Sequence, residues 1–299
     1  MKKFIAFDIG GTKVKHGLLA ENGKFLSKGI YDTPSENLDT FLKLMVDTIR
    51  EYTIDTAVSG VAISLPGFID PYTGYSEKAG AITVLNDQNL KRLLGTKISL
   101  PIEIENDGNC AAIAEKISGN AQDCKDFICV TVGTGIGGGI FINGKLLRGH
   151  AFKSGEFGFM ITQSQGTEKI LHTNASTTAL INSYKRLKGM NEWQKVDGET
   201  ILFETKNDYA VKQLVEDWTR SISYGIFNLA ATLNPEKILI GGGIFTQPAL
   251  IYLVNQHLEQ LSWWKEIQIP IESCKHQNDA GMLGAMYYLK QKLRRRRSS

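Results

Sequence analysis

The chain has 299 residues, 42% hydrophobic and 22% charged, the balance of an ordinary globular protein with length enough for two domains. Its formal net charge is +3, but Arg294, Arg295, Arg296 and Arg297 supply four of the 34 basic groups, leaving 30 against 31 acidic ones, so the body lacks a nucleic-acid footprint. No run nears the roughly 18 apolar residues of a membrane helix, and Cys110, Cys124, Cys129 and Cys274 form no C-x-x-C pair, which argues against a disulfide framework and for a reducing cytoplasm. The start, Met1-Lys2-Lys3-Phe4, superficially resembles a signal peptide, but its apolar run ends at Asp8, too soon for one. The 294–299 end reads as a solvated tail.

The first element predicted is a buried strand, Phe4-Ile5-Ala6-Phe7, running into Asp8-Ile9-Gly10-Gly11-Thr12-Lys13. Two adjacent glycines let the backbone turn tightly and approach a ligand, and successive N–H groups in such a turn can point at one anion. Thr12 adds a hydroxyl and Lys13 a charge. Asp8 is placed to hold a hard cation beside that anion, since Mg²⁺ suits a carboxylate plus phosphate oxygens. On these residues alone, an ordinary Gly-Gly hairpin with a solvated aspartate reads as well.

A second strand is expected over 14–19, an Asn22-Gly23 hairpin turn, and a third strand over 25–31. Leu38, Phe41, Leu42, Met45, Val46 and Ile49 recur at helical spacing and predict an amphipathic helix to about Tyr52. A buried strand over 57–64 ends in Leu65-Pro66-Gly67. Ligands of open α/β sheets sit beyond strand carboxyl ends, so 67–70 is expected to line a cleft. Residues 71–88 read as loop and 90–94 as a short helix. A strand over 102–105 enters Asn106-Asp107-Gly108-Asn109 and then a helix over 110–117, putting Asn106 and Asp107 beside unsatisfied helix N–H groups.

Phe127-Ile128-Cys129-Val130-Thr131-Val132 is a buried strand entering the glycine turn Gly133-Thr134-Gly135, with a return strand over 137–142 and then Asn143-Gly144-Lys145. The order of strand, glycine turn, strand, Asn-Gly-Lys hairpin and strand thus occurs twice. Such a repeat implies two similar α/β halves, with their glycine turns facing one cleft that would take a nucleotide's phosphates. Coincidence of two glycine-rich hairpins is the alternative. Beyond it come polar, irregular residues over 163–170, helices over 176–187 and 208–233, a strand over 237–240 leading into Gly241-Gly242-Gly243, a helix over 248–261, a strand over 267–273 and a closing helix over 279–293.

Asp8-Ile-Gly-Gly-Thr-Lys13, Glu105-Asn-Asp-Gly-Asn109, Gly133-Thr-Gly-Ile-Gly-Gly-Gly139, Gly155-Glu-Phe-Gly158 and Gly241-Gly-Gly243 occur in this order. The set resembles the ROK family of sugar kinases and sugar-responsive repressors, from residue 4 to about 290. The resemblance implies an α/β fold of actin-like, hexokinase-type duplicated domains around a central cleft, divided as 1–117 plus the closing helix 279–293, and 118–278. It implies ATP-dependent phosphorylation of a hexose hydroxyl, usually at C6, with ATP and Mg²⁺ required. Asp107 would be the catalytic base and Asn106 a sugar ligand. Glu156 would bind sugar hydroxyls and Gly67 line the sugar pocket. Asp8 would act on Mg²⁺. Ile5, Ala6, Phe7, Asp8, Ile9, Gly10, Gly11, Thr12 and Lys13 would form one nucleotide-binding segment, Gly133, Thr134 and Gly135 a second, and Gly241, Gly242 and Gly243 would approach the adenosine.

Two departures matter. Most relatives follow Gly-Glu-x-Gly with His and then carry a zinc-binding cysteine motif. Here Phe159 stands where that His would be and 163–172 contains no cysteine, so no zinc is expected. By loose alignment His172 falls where the family's second sugar-binding Glu lies; a polar loop residue is the alternative. In the family the missing His and Glu contact the sugar near C1 and C2. Their loss suggests that C1 carries an aglycone, so the expected substrate is a β-glucoside such as cellobiose, with Phe159 facing the aglycone, as in the zinc-less β-glucoside kinases of the family. The alternatives are a kinase of free glucose, fructose or N-acetylmannosamine, and, in another class, a sugar sensor or repressor. Repressors place a helix-turn-helix ahead of the first glycine turn, where this chain has three residues before its first strand. A small-molecule sugar is the expected partner, with no nucleic acid and no membrane. Dimers are common among such relatives, so a homodimer is possible, and Trp263-Trp264 is either an exposed patch or plain core.

Overall fold

The buried first strand forms as expected. In the computed structural model, which describes residues 1–163 and 169–298, β1 (Lys3–Ile9), β2 (Lys13–Ala20) and β3 (Phe25–Asp32) form a meander. Next comes helix α1 (Leu38–Thr53), whose Asn37 side chain caps it by accepting from the Thr40 N–H at 2.8 Å. Phe41, Leu42, Met45, Val46 and Ile49 bury its apolar face against Ile5, Phe7 and Ile9 of β1. Strand β4 (Val61–Leu65) follows; it is shorter than expected, beginning four residues later. The stretch read as loop instead carries three short strands, β5 (Phe68–Ile69), β6 (Tyr75–Lys78) and β7 (Gln88–Asn89), in a small antiparallel sheet. Helix α2 (Leu90–Gly95), β8 (Ile102–Asn106) and helix α3 (Asp107–Ser118) complete this part.

The second half opens with β9 (Phe127–Val132), β10 (Ile136–Ile142) and β11 (Lys145–Leu147). The short pair β12 (Ile161–Gln163) and β13 (Lys169–Ile170) flanks 164–168, so most of the stretch read as polar and irregular lies outside the described residues. Helices α4 (Leu171–Ala175), α5 (Thr177–Leu187), α6 (Gly198–Glu204) and α7 (Tyr209–Leu233) follow. Helix α7 ends where Asn234 takes the left-handed conformation at φ 42° and Pro235 bars continuation. Then come β14 (Lys237–Gly241), α8 (Pro248–Glu259), α9 (Trp264–Ile267), β15 (Ile271–Ser273) and the closing helix α10 (Ala280–Ser298). The strand expected over 267–273 is confined to its last three residues. Helix α10 runs past its expected end through the arginine cluster, and Arg296 pairs with the buried Glu103 at 2.9 Å, so that end is not a free tail.

Two five-stranded sheets have the same plan. The first runs β3-β2-β1-β4-β8 and the second β11-β10-β9-β14-β15. In each, an antiparallel hairpin leads into parallel neighbours, β1 with β4 and β4 with β8 in one, β9 with β14 and β14 with β15 in the other. The repeat seen in the sequence is therefore a repeat of structure. The chain divides into one compact unit of Met1–Gln122, Leu146–Ser154 and Asp279–Ser299, and another of Asp123–Lys145 and Gly155–Asn278. The first sheet is packed by α1 on one face, and by α3 and α10 in the same unit. The second unit has its own core, centred on Ile128, Val130, Ile238, Ile240, Trp218 and Phe245. No helix among the described residues is long and apolar enough to cross a membrane.

Candidate functional site

Parallel strands β1, β4 and β8 bring three polar side chains to their carboxyl ends, where an α/β sheet exposes ligand sites. Asp8 stands near the carboxyl end of β1, on the same face as the buried Phe4 and Ala6. Its Oδ1 accepts from Ser64 Oγ of β4 at 2.9 Å, and its Oδ2 lies 3.8 Å from Lys15 Nζ. Burial pushes the Asp8 carboxyl up, against the opposing pull of Lys15 and Ser64 and with a further push from Asp279. Helix α10 starts directly against it: a Cβ on Gly281 would lie 2.3 Å from Asp8 Oδ1.

At the end of β8 the chain turns into α3 with Asn106 as its cap. Asn106 Oδ1 accepts from the Asn109 N–H at 3.0 Å, and its Nδ2 donates to Gly67 O at 2.9 Å. Two of the four predicted sugar-site residues, Asn106 and Gly67, are thus in contact, and Gly67 must be glycine: its φ is 96° and a Cβ would meet Lys78 O at 2.0 Å. Asp107, the first residue of α3, is open to solvent while its Oδ1 accepts from the Gly108 N–H at 2.8 Å. Although the residue is exposed as a whole, desolvation of its carboxyl at the foot of α3 pushes it up to about 6; the Gly108 hydrogen bond opposes this and the charge of Asp8 adds to it.

Of the first predicted nucleotide segment, Ile5, Phe7 and Ile9 are buried in the core beside α1, and Ala6 is buried too. The Gly10 N–H closes the turn onto Lys13 O at 2.9 Å, and Gly10 O accepts from Thr33 Oγ1 at 2.6 Å. Gly11, Thr12 and Lys13 are exposed. Lys13 pairs with Asp32 of β3 at 2.6 Å.

The second unit brings its predicted residues together in the same way. Gly133, Thr134 and Gly135 follow β9, and Gly241, Gly242 and Gly243 follow the parallel neighbour β14. The 241–243 turn lies against the end of β9, just before the 133–135 turn, since a Cβ on Gly242 (φ 115°) would lie 1.9 Å from Val132 O. The Gly133 N–H donates to Gly135 O at 2.9 Å, and Thr177 N–H reaches Gly133 O at 2.9 Å. Gly155, at φ 92°, lies against Gly138 O and sets up the half-buried Glu156. His172, in α4, is exposed and stands beside both Gly135 and Gly158. Phe159 is 60% exposed. Trp263 and Trp264 divide, the first 71% exposed and the second buried at 2%. Among the described residues no group of three or more His, Cys, Asp or Glu could hold a metal ion.

A model of the ROK family matches residues 4–292. The chain belongs to the ROK family. It is 38% identical to a protein named beta-glucoside kinase from Listeria monocytogenes, over 97% of this chain and 98% of that one. Among solved structures it is similar to the Lmo2764 protein of Listeria monocytogenes, described as a proposed N-acetylmannosamine kinase, with a TM-score of 0.88, 36% identity and coverage of 97% of this chain and 99% of that one. It is also similar to a ROK family glucokinase from Streptomyces griseus in complex with glucose and AMPPNP, at a TM-score of 0.85 and 25% identity, covering 97% of this chain and 99% of that one. The two matching sheets are the duplicated α/β plan of the actin-like, hexokinase-type fold expected for a ROK protein.

Two groups escaped the sequence reading. Glu105 is fully buried, and Arg148 donates to its Oε2 from Nε at 2.9 Å and Nη2 at 2.6 Å. Glu105 Oε1 accepts from the Asn106 N–H and from Asn109 Nδ2, both at 3.0 Å. Arg148 belongs to a nine-residue return segment, and nothing in its spacing announces a partner 43 positions earlier. The other group is Lys15, which reads in sequence as an interruption of an apolar run.

Proposed function

We propose that this ROK protein is an ATP-dependent sugar kinase that phosphorylates the C6 hydroxyl of a glucose unit in a β-glucoside such as cellobiose. The observation that carries the chemistry is the placement of Asp107: an exposed residue at the start of α3, beyond the carboxyl end of β8, with its neighbours Asn106 and Asn109 fixed by Glu105 and desolvation holding its carboxyl up at about 6. A base poised near the working pH is what proton abstraction from a hydroxyl requires. Phosphoryl transfer otherwise needs positioning and charge stabilisation more than covalent participation.

In this reading Asp107 orients the attacking hydroxyl and takes its proton. Asn106 and Glu156 contact sugar hydroxyls, and Gly67 and His172 line the sugar's surroundings. The turns at 10–12 and 133–135 hold phosphates through backbone N–H groups, and Gly241, Gly242 and Gly243 let the backbone approach adenosine. Asp8 fits a Mg²⁺ ion: it is an oxygen donor whose carboxyl burial holds up, so a bound cation would offset that burial, and one carboxylate plus phosphate and water oxygens is a usual Mg²⁺ set. When bound there, Mg²⁺ would neutralise charge on the ATP phosphates.

Support for a β-glucoside comes from the name of the 38% identical relative and from Phe159, a large exposed apolar side chain beside Glu156. A free hexose is the second reading, favoured by the glucose-bound glucokinase relative and by the proposed N-acetylmannosamine activity of the Lmo2764 protein. The test is ADP release with Mg²⁺-ATP across cellobiose, glucose, N-acetylmannosamine and fructose, and product analysis for the phosphorylated position. Cellobiose is expected to be turned over best and glucose weakly. Turnover of N-acetylmannosamine alone would overturn the β-glucoside reading, and sugar binding without ADP release would point to a sensor.

A further inference from the structure

Two lysines follow the Gly10-Gly11 turn, and in sequence either could meet a phosphate there. The hairpin register separates them. β1 and β2 pair antiparallel with Asp8 directly opposite Lys15, so the two side chains leave the same face of the sheet as neighbours. Lys15 Nζ lies 3.8 Å from Asp8 Oδ2, a distance for Coulombic attraction rather than a hydrogen bond. Lys13, opposite Asp32 in the register of β2 with β3, is drawn to that exposed carboxylate at 2.6 Å.

The charges around Asp8 make the difference consequential. The charge of Asp279 bears on Asp8, and that of Asp8 on Asp107, within this unit. Asp279 has its own ion-pair partner in Lys28, which reaches both its oxygens at 2.7 Å. Among the described residues Lys15 is the cation whose charge bears on Asp8, next to the turn whose N–H groups would cradle phosphate. A polyphosphate brought to this carboxylate cluster meets repulsion unless fixed positive charge sits beside it, and charge fixed in advance is what stabilises a developing phosphoryl transition state.

We propose that Lys15 is a catalytic residue of the phosphoryl transfer, its ammonium contacting the transferring γ-phosphoryl group, while Lys13 serves the hairpin. This rests on the kinase reading above. In the step, the sugar hydroxyl oxygen forms a bond to phosphorus and the bond from phosphorus to the β,γ-bridging oxygen breaks. The hydroxyl proton passes to Asp107, ADP leaves with the electron pair, and Lys15 keeps its proton throughout.

The test compares wild type, Lys15→Met and Lys15→Arg, each as the full chain. Lys15→Met is expected to lower kcat by about 10²–10³-fold, the usual loss for one fixed transition-state donor, with the sugar KM and the thermal midpoint little changed, and Lys15→Arg to recover part of that loss. A second readout is binding without turnover. By calorimetry with Mg²⁺, Lys15→Met should weaken AMPPNP by about tenfold or more and ADP much less. A kcat for Lys15→Met close to wild type, equal losses for AMPPNP and ADP, or full rescue by raised Mg²⁺ would overturn the proposal, the last because Lys15 would then serve only to tune Asp8. A wild type that releases no ADP with any sugar would overturn the kinase reading, and this role with it, and is distinguishable because the failure appears before any substitution.

Discussion

Arg148 places two N–H groups on a single oxygen of Glu105, and Glu105 uses its other oxygen to hold the Asn106 N–H and the Asn109 side chain. The pair therefore fixes the turn from β8 into α3, on which Asp107 stands. Removing one partner of a buried ion pair leaves an uncompensated charge, and Arg148→Ala is expected to cost about 3–5 kcal/mol in stability, read as a fall in denaturant midpoint. The double variant Glu105→Gln/Arg148→Met should lose less stability than Arg148→Ala alone, yet still lose turnover, because the anchoring of Asn106 is changed in both.

Asp107→Asn keeps the shape of the side chain and removes its basicity. Its expected effect is a fall in kcat of roughly 10²–10⁴-fold, the usual worth of a general base, measured as sugar-dependent ADP release. Stability should move the other way. A carboxyl whose pKa is raised on folding binds its proton more tightly in the folded state, so its contribution is favourable at low pH and is lost as pH rises through about 6. At pH 7.5 the variant should melt at or slightly above the wild-type temperature, and any gain should shrink as pH falls below about 6 and vanish only below the ordinary carboxyl value of 3.8. Because Asp107 is open to solvent, the gain is held to about 1 kcal/mol or less.

The same titration governs the rate. Below about 6 Asp107 carries a proton and accepts no other, so kcat/KM should rise with pH through a limb centred near that value. In Asp107→Asn the residual activity should lose this limb. A wild-type profile flat from pH 5 to pH 8 would remove Asp107 from the role of base.

Gly281 tests the setting of Asp8. An alanine methyl would sit 2.3 Å from Asp8 Oδ1 and push the carboxylate off Ser64. Alanine is better than glycine in a helix by about 1 kcal/mol, which offsets part of the strain. Gly281→Ala should therefore retain most of its thermal stability and show a raised Mg²⁺ requirement and a lower kcat, measured by titrating Mg²⁺ at fixed ATP and sugar.

The elements legible in the sequence were those whose signal is local and periodic. β1 and the turn after it announced themselves through four apolar residues and paired glycines, α1 through its helical spacing, and the duplication through the second Asn-Gly-Lys hairpin. The three strands at 68–89 are two to four residues long, too short for alternation to register, and Asp70 shapes their first turn by accepting from the Tyr72 N–H at 2.9 Å. The strand expected over 267–273 shrank because α9 occupies Trp264–Ile267 and Pro270 lacks the N–H that a ladder needs. Asp8, Asn106 and Asp107 could be picked out by motif. The partners that set their charge and position could not, because Lys15 differs from Lys13 only in register and Arg148 meets Glu105 only through tertiary folding.

The division of the chain carries a consequence for synthesis. The second unit has all of its residues once Asn278 is made, whereas the first still lacks Asp279–Ser299. Those last residues supply Met282, Leu283, Ala285, Met286 and Leu289 to the buried interior, and Gly281 to the neighbourhood of Asp8. Nascent chains generally fold domain by domain from the amino terminus. Here the half begun first stays incomplete in sequence until its closing helix is made, whereas the half begun later has all of its residues before that helix starts.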